Sequence, residues 1–190
     1  MVQQDLFLHE NRLSQSLLPR IHELLHRAPF SLNEIERIAV GVGPGSYTGT
    51  RIGVAVAKSL SYGLQIPIRG FCSLTAFLPS SSGRLASLLP AKSGHFFLLA
   101  ATREKNNLHI EQAHLLSLDA LKVALQGIDY MTFRNANELC NDLAIHEARA
   151  FSPCLCPWIP HSENIVQALQ IPPIFPFEME IQLLYLHEHI

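Results

Sequence analysis

The chain has 190 residues, of which 48% are hydrophobic and 16% charged, and its formal net charge is -2. That length and apolar content allow one good core or two small lobes sharing an interface. The near-neutral charge excludes a dedicated nucleic-acid binder, which carries a clear basic excess, so any RNA is expected to be held by another subunit. The start, Met1-Val2-Gln3-Gln4-Asp5, lacks the basic and apolar regions of a secretory signal. The longest apolar runs, such as Phe96 to Ala101, fall far short of the roughly 20 residues a membrane span needs. Cys72, Cys140, Cys154 and Cys156 read as reduced thiols rather than a disulfide framework, so the expected location is cytoplasmic.

Leu13, Leu17, Leu18, Ile21, Leu24 and Leu25 recur at helical spacing and predict an amphipathic helix ending near His26 or Arg27. Pro19 falls inside it and is tolerated if Ser16 caps the regular part, because proline is cheap only in a first turn. Ser31-Leu32-Asn33-Glu34 is a capping box opening a short second helix, and Ile38 to Val42 reads as a buried strand. A long helix is expected from about Thr48 to Gln65, then a strand over Ile66 to Phe71 with Pro67 at its edge or start. Ser73 is placed as the cap of another short helix. Strand, helix and strand in alternation make residues 1–80 an α/β lobe with parallel pairing. Ser80, Ser81, Ser82 and Gly83 mark a linker to a second lobe over 81–190. There, strands at Leu85–Leu89, His95–Ala101 and Leu108–Ile110 form a meander with turns at Lys92-Ser93-Gly94 and Asn106-Asn107. Helices near Ser117–Leu125 and Glu163–Leu169 flank a strand at Ile128–Phe133, and prolines crowd the last third.

The segment Gly41-Val42-Gly43-Pro44-Gly45-Ser46-Tyr47-Thr48-Gly49-Thr50-Arg51 lies between a strand and a helix, where phosphate sites are usually built. A P-loop needs a lysine after its last glycine, and none occurs before Lys58. A dinucleotide loop needs a third glycine where Thr48 stands, and an acidic residue further on that is missing. The nucleophile elbow fails because Pro44 and Thr48 occupy its glycine positions. What remains is a loop that caps a helix. On that helix, Gly49, Gly53 and Ala57 recur every fourth residue and give one face nearly no side-chain bulk. Each helical glycine costs about 1 kcal/mol relative to alanine, so a compensating close neighbour is expected, either within the monomer or from another subunit.

Gly43-Pro44-Gly45-Ser46-Tyr47-Thr48-Gly49-Thr50-Arg51-Ile52-Gly53-Val54-Ala55-Val56-Ala57-Lys58-Ser59-Leu60, continuing to Ile66-Pro67 and Ser73-Leu74, resembles the TsaB family, also called YeaZ. Leu17-Leu18-Pro19, Ile21, Leu24-Leu25 and Ile38-Ala39-Val40-Gly41 fit as well, and Tyr185-Leu186-His187 is similar to a Tyr-Leu-Arg ending. The firm match covers residues 13–77. The resemblance implies an actin-like ATPase (ASKHA, ribonuclease H-like) α/β fold of two mixed-sheet lobes. It implies a non-catalytic subunit, without a cofactor, that pairs with a catalytic paralogue, TsaD. TsaD transfers a threonylcarbamoyl group to the adenosine next to the anticodon of tRNA, and a small ATPase, TsaE, joins the complex. A homodimer is the implied alternative for the isolated subunit, and tRNA is met only indirectly. In this family the first two helices form the partner face. The resemblance therefore implies an interface of Leu17, Ile21, Gly49, Gly53, Ala57 and Leu60, beside a signature loop of Gly43, Pro44, Gly45, Ser46, Thr48, Gly49 and Arg51.

The departures count too. Family members begin with a strand, an Asp-Thr/Ser loop and a hairpin before the first helix, whereas here the first helix opens near Leu13, so the first lobe is expected to lack its initial strand or strands. Leu13 stands where histidine is common, Pro90-Ala91-Lys92 where Asp-Ala-Arg is, and His95 where glutamate is. Intrinsic nucleotide binding becomes a poor expectation.

Two rival constellations stand outside the resemblance. His22-Glu23-Leu24-Leu25-His26 matches His-Glu-x-x-His, which in zinc hydrolases puts two ligands and a general base on one helix. The extended motif fails at Leu32. Histidines at a helix C-terminus also have an ordinary reason in the helix dipole. Cys154-Leu155-Cys156 with His161 nearby could hold a metal, but its spacing is not that of a zinc knuckle. His187-Glu188-His189 reads as a solvated tail. The alternative to an accessory subunit is thus a zinc hydrolase or a small ATPase.

Overall fold

The computed structural model describes residues 13–28, 30–105, 107–134 and 154–170. They form two compact units that divide between Phe71 and Cys72.

In the first unit, α1 (Leu13–Arg27) is amphipathic as its spacing demands, but none of its residues is fully buried. Its apolar side, including Leu17, Ile21, Leu24 and Leu25, stays half-buried, and Leu18 is 49% exposed. The helix begins at Leu13 rather than at a Ser16 cap, so Pro19 lies in its interior. The carbonyl that Pro19 leaves without its helical N–H belongs to Gln15, and both residues are exposed, so the carbonyl is open to solvation. The capping box is present: the Glu34 carboxylate accepts from the Ser31 amide at 2.7 Å and from its hydroxyl at 2.8 Å. It opens only a 3-10 turn, Leu32–Glu34.

β1 (Ile38–Gly41), α2 (Tyr47–Leu64) and β2 (Ile68–Phe71) make a crossover in which β1 and β2 pair in parallel, from Ile38 opposite Ile68 to Gly41 opposite Phe71. α2 packs on β1. The second strand starts after Pro67 because proline has no amide to give the ladder, while its carbonyl accepts from Ile38 N at 2.9 Å. Among the described residues this parallel pair is the first unit's sheet, so the mixed pairing expected of both lobes is seen in the second. The fully buried hydrophobics described in the first unit are Ala28, Val42, Val54 and Ala57.

The second unit opens with a 3-10 helix, Ser73–Phe77, whose cap position is Cys72 and not Ser73. Leu74 and Leu78 are buried there in the same core as Leu85, Leu89 and Leu99. This is why the division precedes the serine stretch at 80–82 instead of coinciding with it. β3 (Gly83–Pro90), β4 (His95–Glu104), β5 (Asn107–Ile110) and β6 (His114–Ser117) are followed by α3 (Leu118–Ala124), β7 (Tyr130–Phe133), β8 (Cys154–Cys156) and α4 (Ser162–Gln170). The sheet order is β5-β4-β3-β7-β8, with β6 also on β4. β4 runs antiparallel to β3, β5 and β6, whereas β7 is parallel to β3 and to β8.

β3 is buried on both faces, which is why it reads as an unbroken apolar run. Ala86 and Leu88 join Phe96, Met131 and Phe133 under Leu121 and Leu125 of the α3 region, while Leu85 and Leu89 face the opposite layer. α4 is fixed by a buried polar cluster. Arg103 Nη2 donates to Asn164 Oδ1 at 2.5 Å, Arg103 Nη1 donates to Gln167 Oε1 at 3.0 Å, and Asn164 Nδ2 donates to Leu78 O at 2.7 Å.

Candidate docking surface

The glycine loop has a buried root and an exposed tip. Val42, Gly43 and Pro44 are buried, and Val42 N donates to Phe71 O at 2.9 Å, continuing the strand pair. The Gly43-Pro44 peptide is cis, and Gly43 sits at φ 116°, a conformation that L side chains rarely adopt. Gly45, Ser46, Tyr47 and Thr48 are exposed. Ser46 is the N-cap of α2, and its hydroxyl accepts from Gly49 N at 3.3 Å. The tip thus spends one of the helix's open amides on its own chain, as a helix-launching loop does. The Arg51 guanidinium lies 4.0 Å from the centroid of the Tyr47 ring, one turn along the same helix.

The small-residue stripe does not act as one surface. Positions four apart in a helix drift by about 40° per step, so a stripe of three turns gradually toward the core. A Cβ built on Gly49 would stand 3.7 Å from Leu13 Cδ2 of α1, an ordinary contact made inside the unit. Ala57 is 7% exposed and belongs to the unit's own core. Between them, a Cβ on Gly53 would meet no heavy atom of the described residues within 4 Å. Leu17 and Ile21 on α1 and Leu60 on α2 are half-buried. α1 packs against α2 within the unit.

The rival constellations can be placed as well. His22 and His26 are exposed, and their Nε2 atoms approach to 2.9 Å across one turn of α1. Cys154 is exposed and Cys156 half-exposed on β8, and the Cys156 thiol donates to Cys154 O at 3.7 Å. Burial, then the neighbouring Cys154, pushes the Cys156 thiol above its ordinary value. Cys72 is buried, and desolvation pushes its thiol to about 11, which marks it as inert. Among the described residues no group of three or more His, Cys, Asp and Glu side chains stands close enough to hold a metal ion. Pro90-Ala91-Lys92 leads from β3 into the hairpin turn to β4, where Ser93 and Gly94 both have positive φ and Ala91 N donates to His95 O at 2.8 Å. Cys140, Pro153, Pro172, Pro173, Pro176, Tyr185-Leu186-His187 and His187-Glu188-His189 lie outside the described residues.

Sequence reading passed over several exposed apolar side chains of the first unit: Phe30 at 50%, Tyr47 at 62% and Tyr62 at 78% exposure. Their helical or loop positions carried no pattern that separates them from core residues. No helix among the described residues is long and apolar enough to cross a membrane.

Solved structures share this architecture. YeaZ from Pseudomonas aeruginosa superposes with a TM-score of 0.69 at 21% identity, covering 86% of this chain and 78% of that one. A second Pseudomonas aeruginosa structure, described as similar to peptidase YEAZ, gives a TM-score of 0.64 at 23% identity, covering 82% and 74%. The fold is therefore the mixed α/β fold of the YeaZ structures. A family model described as TsaD, tRNA N6-adenosine threonylcarbamoyltransferase, matches residues 8–143, and the chain belongs to that family, on its TsaB (YeaZ) side. The chain is 30% identical over 107 residues to the tRNA threonylcarbamoyladenosine biosynthesis protein TsaB of Haemophilus influenzae, covering 51% of this chain and 45% of that protein. For TsaB of Bacillus subtilis the identity is 34% over 94 residues, covering 48% and 41%. The chain thus spans less than half the length of these curated relatives.

Proposed function

We propose that this chain serves tRNA threonylcarbamoyladenosine biosynthesis as an accessory subunit. It binds and supports a TsaD-type catalytic subunit and has no turnover of its own. The observation that carries this reading is the space at Gly53 of α2, where an added Cβ would meet no described heavy atom within 4 Å, on a helix that packs against α1. A helical glycine that costs stability and whose Cβ position meets no described neighbour fits a surface kept flat for a partner's close approach. The relatives' names support the pathway, and the open position at Gly53 supports the docking role. A TsaE-type ATPase completes the assembly, and tRNA is held by the catalytic subunit, consistent with a net charge of -2.

The experiment is co-purification of the full chain with the TsaD protein of the same genome, with affinity measured by calorimetry. Wild type forms a stable complex. Gly53→Leu, in which a bulky side chain stands in the opening, weakens it at least about tenfold, or 1.4 kcal/mol, while circular dichroism stays unchanged. Undiminished binding by Gly53→Leu overturns the face, and absence of any complex with wild type overturns the role.

A further inference from the structure

His22 and His26 stand one turn apart near the C-terminal end of α1, both exposed. Their rings meet edge to face, with centroids 4.2 Å apart at 85°, and the Nε2 atoms are 2.9 Å apart. Helix geometry places the pair about 140–180° around α1 from Leu17, so it points away from the apolar side proposed for docking and does not rest on that reading. We propose that the pair is a two-imidazole chelate for a divalent transition-metal ion, Cu2+ above all.

The argument is one of distances. Imidazole nitrogens bind such ions at about 2.0–2.1 Å, so two of them at a right angle stand about 3.0 Å apart, and at a tetrahedral angle about 3.4 Å apart. The observed 2.9 Å matches the right-angle bite. Right-angle nitrogen sites select square-planar or tetragonal ions, Cu2+ and Ni2+, and Cu2+ stands highest in the general affinity order. At present one ring donates its Nε2 proton to the other. Chelation needs that ring to carry its proton on Nδ1 instead, which leaves both Nε2 lone pairs for the metal and changes no net charge on the protein. Glu23 lies about 100° around the helix from His22 and about 60° from His26, and among the described residues it forms no three-ligand group with them. With no third described His, Cys, Asp or Glu beside them, the remaining metal positions go to water or an added chelator. The His-Glu-x-x-His sequence is thereby read as a two-ligand site rather than a hydrolase centre.

The test uses the full chain stripped of metal and, as probe, Cu2+ carried by iminodiacetate, which occupies three positions and leaves room for two imidazoles. Wild type is expected to bind one equivalent, with an electron paramagnetic resonance pattern of two equivalent imidazole nitrogens. His22→Ala and His26→Ala each leave a single imidazole and weaken binding about a hundredfold, because the second contact is intramolecular. Glu23→Gln binds as wild type does, and so does the His187→Ala/His189→Ala variant. Circular dichroism checks that α1 persists in every variant. Wild-type binding no tighter than that of His22→Ala overturns the site. So does binding that vanishes with His187 and His189 instead of with His22 and His26.

Discussion

The Ser46 hydroxyl accepts a hydrogen bond from Gly49 N at 3.3 Å, so the most phosphate-like stretch of this chain is closed on itself as a helix cap. Removing that oxygen leaves an orphan amide at the start of α2. Ser46→Ala is expected to destabilise the first unit by about 1 kcal/mol. Chemical denaturation followed by far-ultraviolet circular dichroism measures this, and a loss below about 0.3 kcal/mol would show that the cap is idle.

Two glycines should respond to alanine with opposite signs. Gly53 is helical with no described neighbour at its Cβ, so Gly53→Ala raises the stability of the isolated chain by about 1 kcal/mol. Gly83 has φ 127°, and its Cβ would meet Asp129 Oδ2 at 2.5 Å, the atom that accepts from Arg84 N at 2.8 Å. Gly83→Ala is therefore expected to cost at least about 2 kcal/mol. Denaturation midpoints of the two variants must move in opposite directions.

Asn164 is 1% exposed and bridges Arg103 to the Leu78 carbonyl. Asn164→Ala strips a buried guanidinium of an acceptor and should destabilise the second unit by about 2–3 kcal/mol. Trp158, the chain's single tryptophan, stacks on Phe77 at 4.2 Å in that unit and supplies the fluorescence signal. An unfolding midpoint left unmoved would mean that α4 is held by packing alone.

The Ser31 amide and then its hydroxyl donate to Glu34 and hold its carboxyl below the ordinary glutamate value. A folded value below the unfolded one means that this contribution is complete above the unfolded pKa and fades as pH falls through the folded one. A carbon-detected titration of Glu34 should give a depressed midpoint, and Ser31→Ala should raise it. A wild-type midpoint at the ordinary glutamate value refutes the assignment.

The crossover β1-α2-β2 was legible because each of its signals is local. A strand of apolar residues, a Ser46 cap, an amphipathic run and Pro67 at a strand entry each depend on neighbours within a turn. Pro19 misled, because an exposed helix face lets water take the carbonyl that proline abandons. β6 shows no alternation, its two half-buried leucines lying between an exposed histidine and an exposed serine, and β8, at three residues, is too short for a period of two to be distinguished from loop.

What the sequence determined by itself was the signature from Gly43 to Leu60, the helices that flank it and the family to which they belong, since these rest on contiguous residues. Only the tertiary structure decided the rest. It set β7 in parallel beside β3, and joined Arg103 to an asparagine 61 positions away. It also divided the glycine stripe between Leu13, the open side at Gly53 and the core at Ala57. The reason is that a helix fixes which residues share a face, while the elements packed around it decide which part of that face is left uncovered.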